Sequence, residues 1–129
     1  MSKLDKESVI GISALLVHAA NIDDIYSDHE KDLVKDFIKS YLKNEDASKI
    51  LEEAEQIENN SNQLLNYTNV IKKNSLEIKK DIIEHLWRVI ISDNSVDQYE
   101  ANLMRRICGL IYFPDKESAE IKLKLLNSK

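Results

Sequence analysis

Laying residues 78–112 over residues 8–42, an offset of 70 positions, reproduces the same residues at the same places. Ile12 falls on Ile82, Leu16 on Leu86, Asp23 on Asp93, Glu30 on Glu100 and Leu33 on Leu103. Other pairs keep their character: Ala19 with Val89, Phe37 with Ile107, and the cap-forming Ser27 with Asp97. Within each copy the apolar residues step by three and four, which is the period of a helix with one buried face. A self-similarity of this length fixes the architecture before any single motif is considered. Each copy reads as an amphipathic helix, an acidic turn and a capped second helix. Two such units can bury their stripes against each other about a pseudo-two-fold axis.

The rest of the chain supports an all-α reading of about seven helices packed as a bundle. Helices are expected over about 5–20, from 28, over about 47–59 and 63–73, from about 76, over the segment that Pro114 ends, and from about 115. Two Gly and one Pro in 129 residues leave little material for the tight turns of a β-rich fold. The 43% apolar content is enough for a core. The length suits one domain spanning 1–129, with the repeat units at about 8–42 and 78–112. The polar run at 58–62 reads as a turn, because it is too short and too close to good helices for a linker.

Charge and cysteine usage narrow the setting. The net charge is −5 and the lysines alternate with Glu and Asp, so no basic stripe exists for a phosphate backbone and no nucleic-acid partner is expected. The single cysteine, Cys108, cannot close an internal disulfide and lies among Ile107, Leu110 and Ile111, where it reads as core. No segment resembles a signal peptide or reaches the roughly 20 apolar residues of a membrane span. The expectation is a cytoplasmic protein that does not span a membrane.

The two turns read Asn-Ile-Asp-Asp-Ile-Tyr-Ser-Asp-His-Glu and Ile-Ser-Asp-Asn-Ser-Val-Asp-Gln-Tyr-Glu. The pairs Asp23/Glu30 and Asp93/Glu100 are each seven residues apart. With the two turns brought together, these four carboxylates are candidate ligands for a divalent cation (Ca, Mg, Mn or Zn), with Asp24, Asp28 and Asp97 as outer ligands. The same residues also serve a purely structural role. An Asp satisfies backbone amides in its turn, and Glu30 completes a capping box with Ser27. Both readings stay open at this level. An EF-hand does not: the loop starting at Asn21 puts Ile25 at a ligand position, Tyr26 where Gly belongs and Asp32 where a chelating Glu is needed.

Other candidates are weaker. His18, His29 and His85 never stand at a His-x-x-x-His spacing and read as helix residues, though His18 and His29 flank the first turn. Trp87 reads as packed between helices, or otherwise as a partner anchor. Arg88, Arg105 and Arg106 form the only arginine group. No phosphate loop, nucleophile elbow or Cys-x-x-Cys occurs, so no catalytic residues and no enzyme are expected.

The duplicated acidic turn, the stretch Ile83-Glu84-His85-Leu86-Trp87-Arg88-Val89 and the run from Tyr99 to Ile107 together resemble the tellurite-resistance TerB-like family, over roughly residues 8–125. The chain departs from that pattern at both turn glycines, which are Asp24 and Asn94 here. The resemblance implies a seven-helix bundle linked to tellurite resistance or stress, with proposed metal binding and usually no defined activity. Related domains also form the N-terminal part of a DnaJ-like membrane co-chaperone. The function expected is a non-enzymatic binding or scaffold module with an unidentified protein partner, assisted by a divalent cation. A dedicated metal-sensing or metal-sequestering protein is the alternative. A small metal-dependent hydrolase is disfavoured, since no nucleophile or His cluster is in place.

Overall fold

The computed structural model describes residues 5–21, 28–60, 64–91 and 98–127, with side chains left aside at 64–67 and 98–100. Among the described residues there are seven helices and no strand. They are α1 (Lys6–Asn21), α2 (Asp28–Tyr41), α3 (Ala47–Asn60), α4 (Leu64–Lys72), α5 (Leu76–Ile91), α6 (Gln98–Leu110) and α7 (Asp115–Asn127).

Local chemistry sets several of the helix ends. The Asp5 carboxylate accepts from the Ser8 amide at 2.7 Å, and hydrogen bonds from the Ser8 side chain and then its amide hold its pKa below the usual carboxylate value. Asp46 accepts from the Ser48 amide at 3.0 Å and the Ser75 hydroxyl from the Ile78 amide at 3.3 Å, so α1, α3 and α5 each start on a side-chain cap. The polar run expected to form a turn at 58–62 is helical as far as Asn60. Packing of Ile50, Leu51 and Ala54 outweighs the weak helix preference of its asparagines.

α6 ends before Pro114 and by a different device. The Phe113 amide bonds back to the Cys108 carbonyl at 2.8 Å and the Tyr112 amide to the Gly109 carbonyl at 3.4 Å, the paired bonds of a Schellman cap. This requires a left-handed residue at Tyr112 (φ 59°), where glycine is the usual choice. Phe113 tucks into the core, while Tyr112 stands 71% exposed with the Lys72 ammonium 4.9 Å from its ring centre.

α1 departs most from the single stripe expected of it. Besides Val9, Ile12, Leu16 and Ala19, it buries Ser13, Ala14, Leu15, Val17 and Ala20. α2, α3, α4 and α5 all pack against it, which leaves α1 enclosed. The fully buried Ser13 hydroxyl has no hydrogen-bond partner, and the position equivalent to it in the second unit is Ile83.

Elsewhere the expected core holds in outline. Phe37 and Ile38, Ile50 and Leu51, Ile71, the α5 stripe, and Leu103, Met104 and Ile107 are buried, as are Cys108 and Trp87. Val34 is buried, whereas Leu33, where helical spacing from Phe37 and Tyr41 puts the α2 stripe, is only half-buried. Ile57, Ala119 and Leu126, which the three-and-four spacing of their helices predicts to be inside, are exposed. They lie on α3 and α7, which border the bundle and are covered on one side only.

Ion pairs and ring contacts fix the helix directions. Lys6 pairs with Glu45 at one end of α1 and His18 with Glu58 at the other, so α1 and α3 run parallel. The turn that follows α2 carries Glu45 to the Lys6 end of α1, which makes α2 antiparallel to α1. Phe37 meets His85 and Tyr41 meets Asp81, so α2 is antiparallel to α5 as well. α1, α3 and α5 therefore share one direction.

The Tyr112 backbone provides a direct test. Tyr112→Gly and Tyr112→Ala both remove the ring, but only Gly relieves the left-handed conformation. The Gly variant should be more stable than the Ala variant by roughly 1 kcal/mol in urea unfolding. Equal stabilities would place no strain at this residue.

Candidate functional site

The helix directions collect one set of ends. The last turns of α1, α3 and α5 and the first turn of α2 all face the same end of the bundle. Asp23 and Asp93 themselves lie outside the described residues, as does the side chain of Glu100. What flanks them is well defined. Asn21 closes α1, Asp28 opens α2 and Ile91 closes α5. The 37/85 and 41/81 pairings, carried along both helices at about 1.5 Å per residue, bring the start of α2 level with the end of α5.

Glu30 stands in the first turn of α2, only 7% exposed and engaged in an interaction within the protein. A carboxylate there also gains from the partial positive charge of the helix N-terminus. Close by on α1 and α3, Glu58 uses both of its oxygens. Oε1 accepts from the Asn21 amide and Oε2 meets His18 Nδ1, each at 3.3 Å. Sequence reasoning missed Glu58 because it sits in the polar run that looked like a turn. Its helical spacing after Ile50, Leu51 and Ala54 was the available signal. Among the described residues, no group of three or more His, Cys, Asp or Glu side chains is arranged to hold a metal ion.

A second polar group lies toward the other end, between α2 and α5. The Tyr41 hydroxyl donates to Asp81 Oδ2 at 2.6 Å, and His85 Nε2 lies 3.7 Å from Asp81 Oδ1. The Phe37 ring meets His85 edge-on at 5.1 Å and Tyr41 at 5.1 Å. Burial disfavours the charged form of His85 more than Asp81 and Glu84 favour it, so its pKa falls below the ordinary imidazole value. Burial and the neighbouring Asp81 carboxylate together push the Tyr41 phenol well above its usual range. These groups lock α2 onto α5. His29, by contrast, is exposed on α2.

Compared with known families, the chain matches the model of the tellurite resistance protein TerB over residues 10–123. It belongs to the TerB family. No curated protein and no solved structure matched it. Within this TerB-family chain, the Leu86-Trp87 pair that carried part of the resemblance is structural: both are buried, and Trp87 Nε1 donates to Ser118 Oγ on α7 at 3.0 Å. Arg88 pairs with Glu84 one turn earlier at 3.0 Å, while Arg105 and Arg106 are exposed on α6. An open groove of about 470 Å³ runs between α5 and α7, floored by Ile121 and Leu125 and rimmed by charges of both signs. No described helix is long and apolar enough to cross a membrane.

The His85 environment sets a pH dependence. The unfolded imidazole takes up its proton near pH 6.5, whereas folded His85 resists until lower pH. Its contribution to stability is therefore complete above about pH 6.5 and is lost as the pH falls toward the folded value. The stability advantage of wild type over His85→Gln should narrow between pH 7.5 and 5.5 in urea titrations. An advantage that stays constant or widens would contradict the burial of neutral His85.

Proposed function

We propose that this TerB-family chain is a non-enzymatic, cytoplasmic binding or scaffold module of a tellurite or stress response. In this reading its two acidic segments hold a divalent cation through Asp23, Glu30, Asp93 and Glu100. The supporting observation is directional. Because α2 is antiparallel to both α1 and α5, the helix ends that flank both acidic segments lie at one end of the bundle.

The donor chemistry fits a cation. Four carboxylates are hard oxygen ligands that suit Ca²⁺, Mg²⁺ or Mn²⁺ better than Zn²⁺, which favours nitrogen and sulfur. Glu30 is held nearly out of solvent on a rigid helix, which suits a ligand as well as it suits a cap. Two of the three histidines have structural work, His18 against Glu58 and His85 against Phe37. The net charge of −5 favours a cationic or mixed-charge partner over nucleic acid. The ion's role here is to tie two helix hairpins together and so set the shape of the surface offered to a protein partner.

Calorimetric titration of chelator-treated protein with Ca²⁺, Mg²⁺, Mn²⁺ and Zn²⁺ tests the reading, repeated on the Asp23→Ala/Asp93→Ala double variant. Micromolar binding of a hard cation to wild type, lost in the double variant, is the expected result. Binding that survives both substitutions, or no binding at all, would leave the acidic segments as structural turns.

A further inference from the structure

The pseudo-symmetry pairs α3, which packs on α1, with α7, which packs on α5, and the two are anchored very differently. α3 buries Ala47, Ile50, Leu51 and Ala54 and is pinned at both ends by the Lys6–Glu45 and His18–Glu58 pairs. α7 buries only Ser118 and Ile121, with Leu125 half-covered and Leu123 57% exposed. A groove of about 470 Å³ opens along its seam with α5.

The polar anchor at the start of α7 is the Ser118 hydroxyl. Ser118 Oγ accepts from Trp87 Nε1 on α5 at 3.0 Å, and its own proton is available to the Cys108 sulfur on α6. The Lys122 ammonium adds a cation–π contact 5.3 Å from the Trp87 ring centre. The segment before α7 carries the left-handed Tyr112 and then Pro114, so helix α6 cannot continue into α7. Few buried side chains, an open seam and a fixed break at one end are the marks of a unit that opens at lower free energy than the whole fold.

We propose that α7 is a hinged cover, latched by Ser118, that lifts from α5 and α6 while α1 to α6 stay folded. Lifting uncovers Trp87 and Cys108, which are 5% and 1% exposed when α7 is down. The device thus controls access to an apolar face of the second repeat unit. It is independent of the ion reading, because none of its residues is one of the four candidate ligands.

The chain supplies its own reporter, since Cys108 is the only cysteine. The experiment follows labelling of Cys108 by an aromatic disulfide reagent in the full chain at increasing urea, well below the unfolding transition. Opening of one helix predicts a shallow but non-zero urea dependence of the labelling rate, because the slope tracks the surface exposed. Ser118→Ala should raise that rate about tenfold while the slope stays shallow. A rate that climbs with the full slope of global unfolding would overturn the proposal, as would a rate independent of urea, which marks a small local fluctuation. An unchanged rate in Ser118→Ala would overturn the latch. The wild-type slope decides the question even if the variant fails to fold.

Discussion

Everything in this fold follows from the need to keep α1 out of water. Between Ile12 and Ala20 only His18 reaches solvent, and nine residues of the helix are buried. A helix that is apolar nearly all round is stable only when other elements surround it. α2, α3, α4 and α5 do so, and burial of each large aliphatic side chain contributes about 1.5–3 kcal/mol toward that arrangement. Enclosure also explains why the residues near the helix termini matter. The Lys6–Glu45 and His18–Glu58 pairs are partly exposed and individually weak, but they fix the direction in which α3 lies along α1.

The two repeat units have taken different places in this scheme. Where α1 carries Ile10, Ala14 and His18, α5 carries Lys80, Glu84 and Arg88. The first set lies along the helix that is enclosed. The second faces the α5–α7 groove and leaves one side of α5 in water. One duplicated helix has become the centre of the bundle and the other part of its wall. The same asymmetry separates the firmly held α3 from the lightly held α7. The contacts of Phe37 and Tyr41 with His85 and Asp81 set α2 antiparallel to α5, so that the end of α1, the start of α2 and the end of α5 share one end of the bundle.

Much of this was legible in the sequence, and the parts that were not share a cause. The seven helices, the repeat, and the buried positions of Trp87 and Cys108 follow from periodicity and from where polar residues interrupt it. Periodicity reports one face of one helix, however, and says nothing of how many neighbours that helix acquires. Ser13, Ala14 and Val17 fall off the Val9-Ile12-Leu16-Ala19 stripe and are nonetheless interior. Ile57 and Leu126 looked interior when their helices are covered on one side only. The Schellman cap at Tyr112 was hidden because a tyrosine stands where glycine signals such a turn. At the candidate site, Glu30 was found through its capping spacing. Glu58 was not, because its neighbours are asparagines and its partners, His18 and Asn21, are distant in sequence.

The enclosure of α1 is tested most directly by native-state hydrogen exchange measured residue by residue against urea. Amides from Ile12 to Ala19 should exchange only through global unfolding, with the largest free energies in the protein. Exchange of those amides through a smaller, partial opening, while α3 and α5 remain protected, would contradict the claim that α1 is the centre on which the other helices depend.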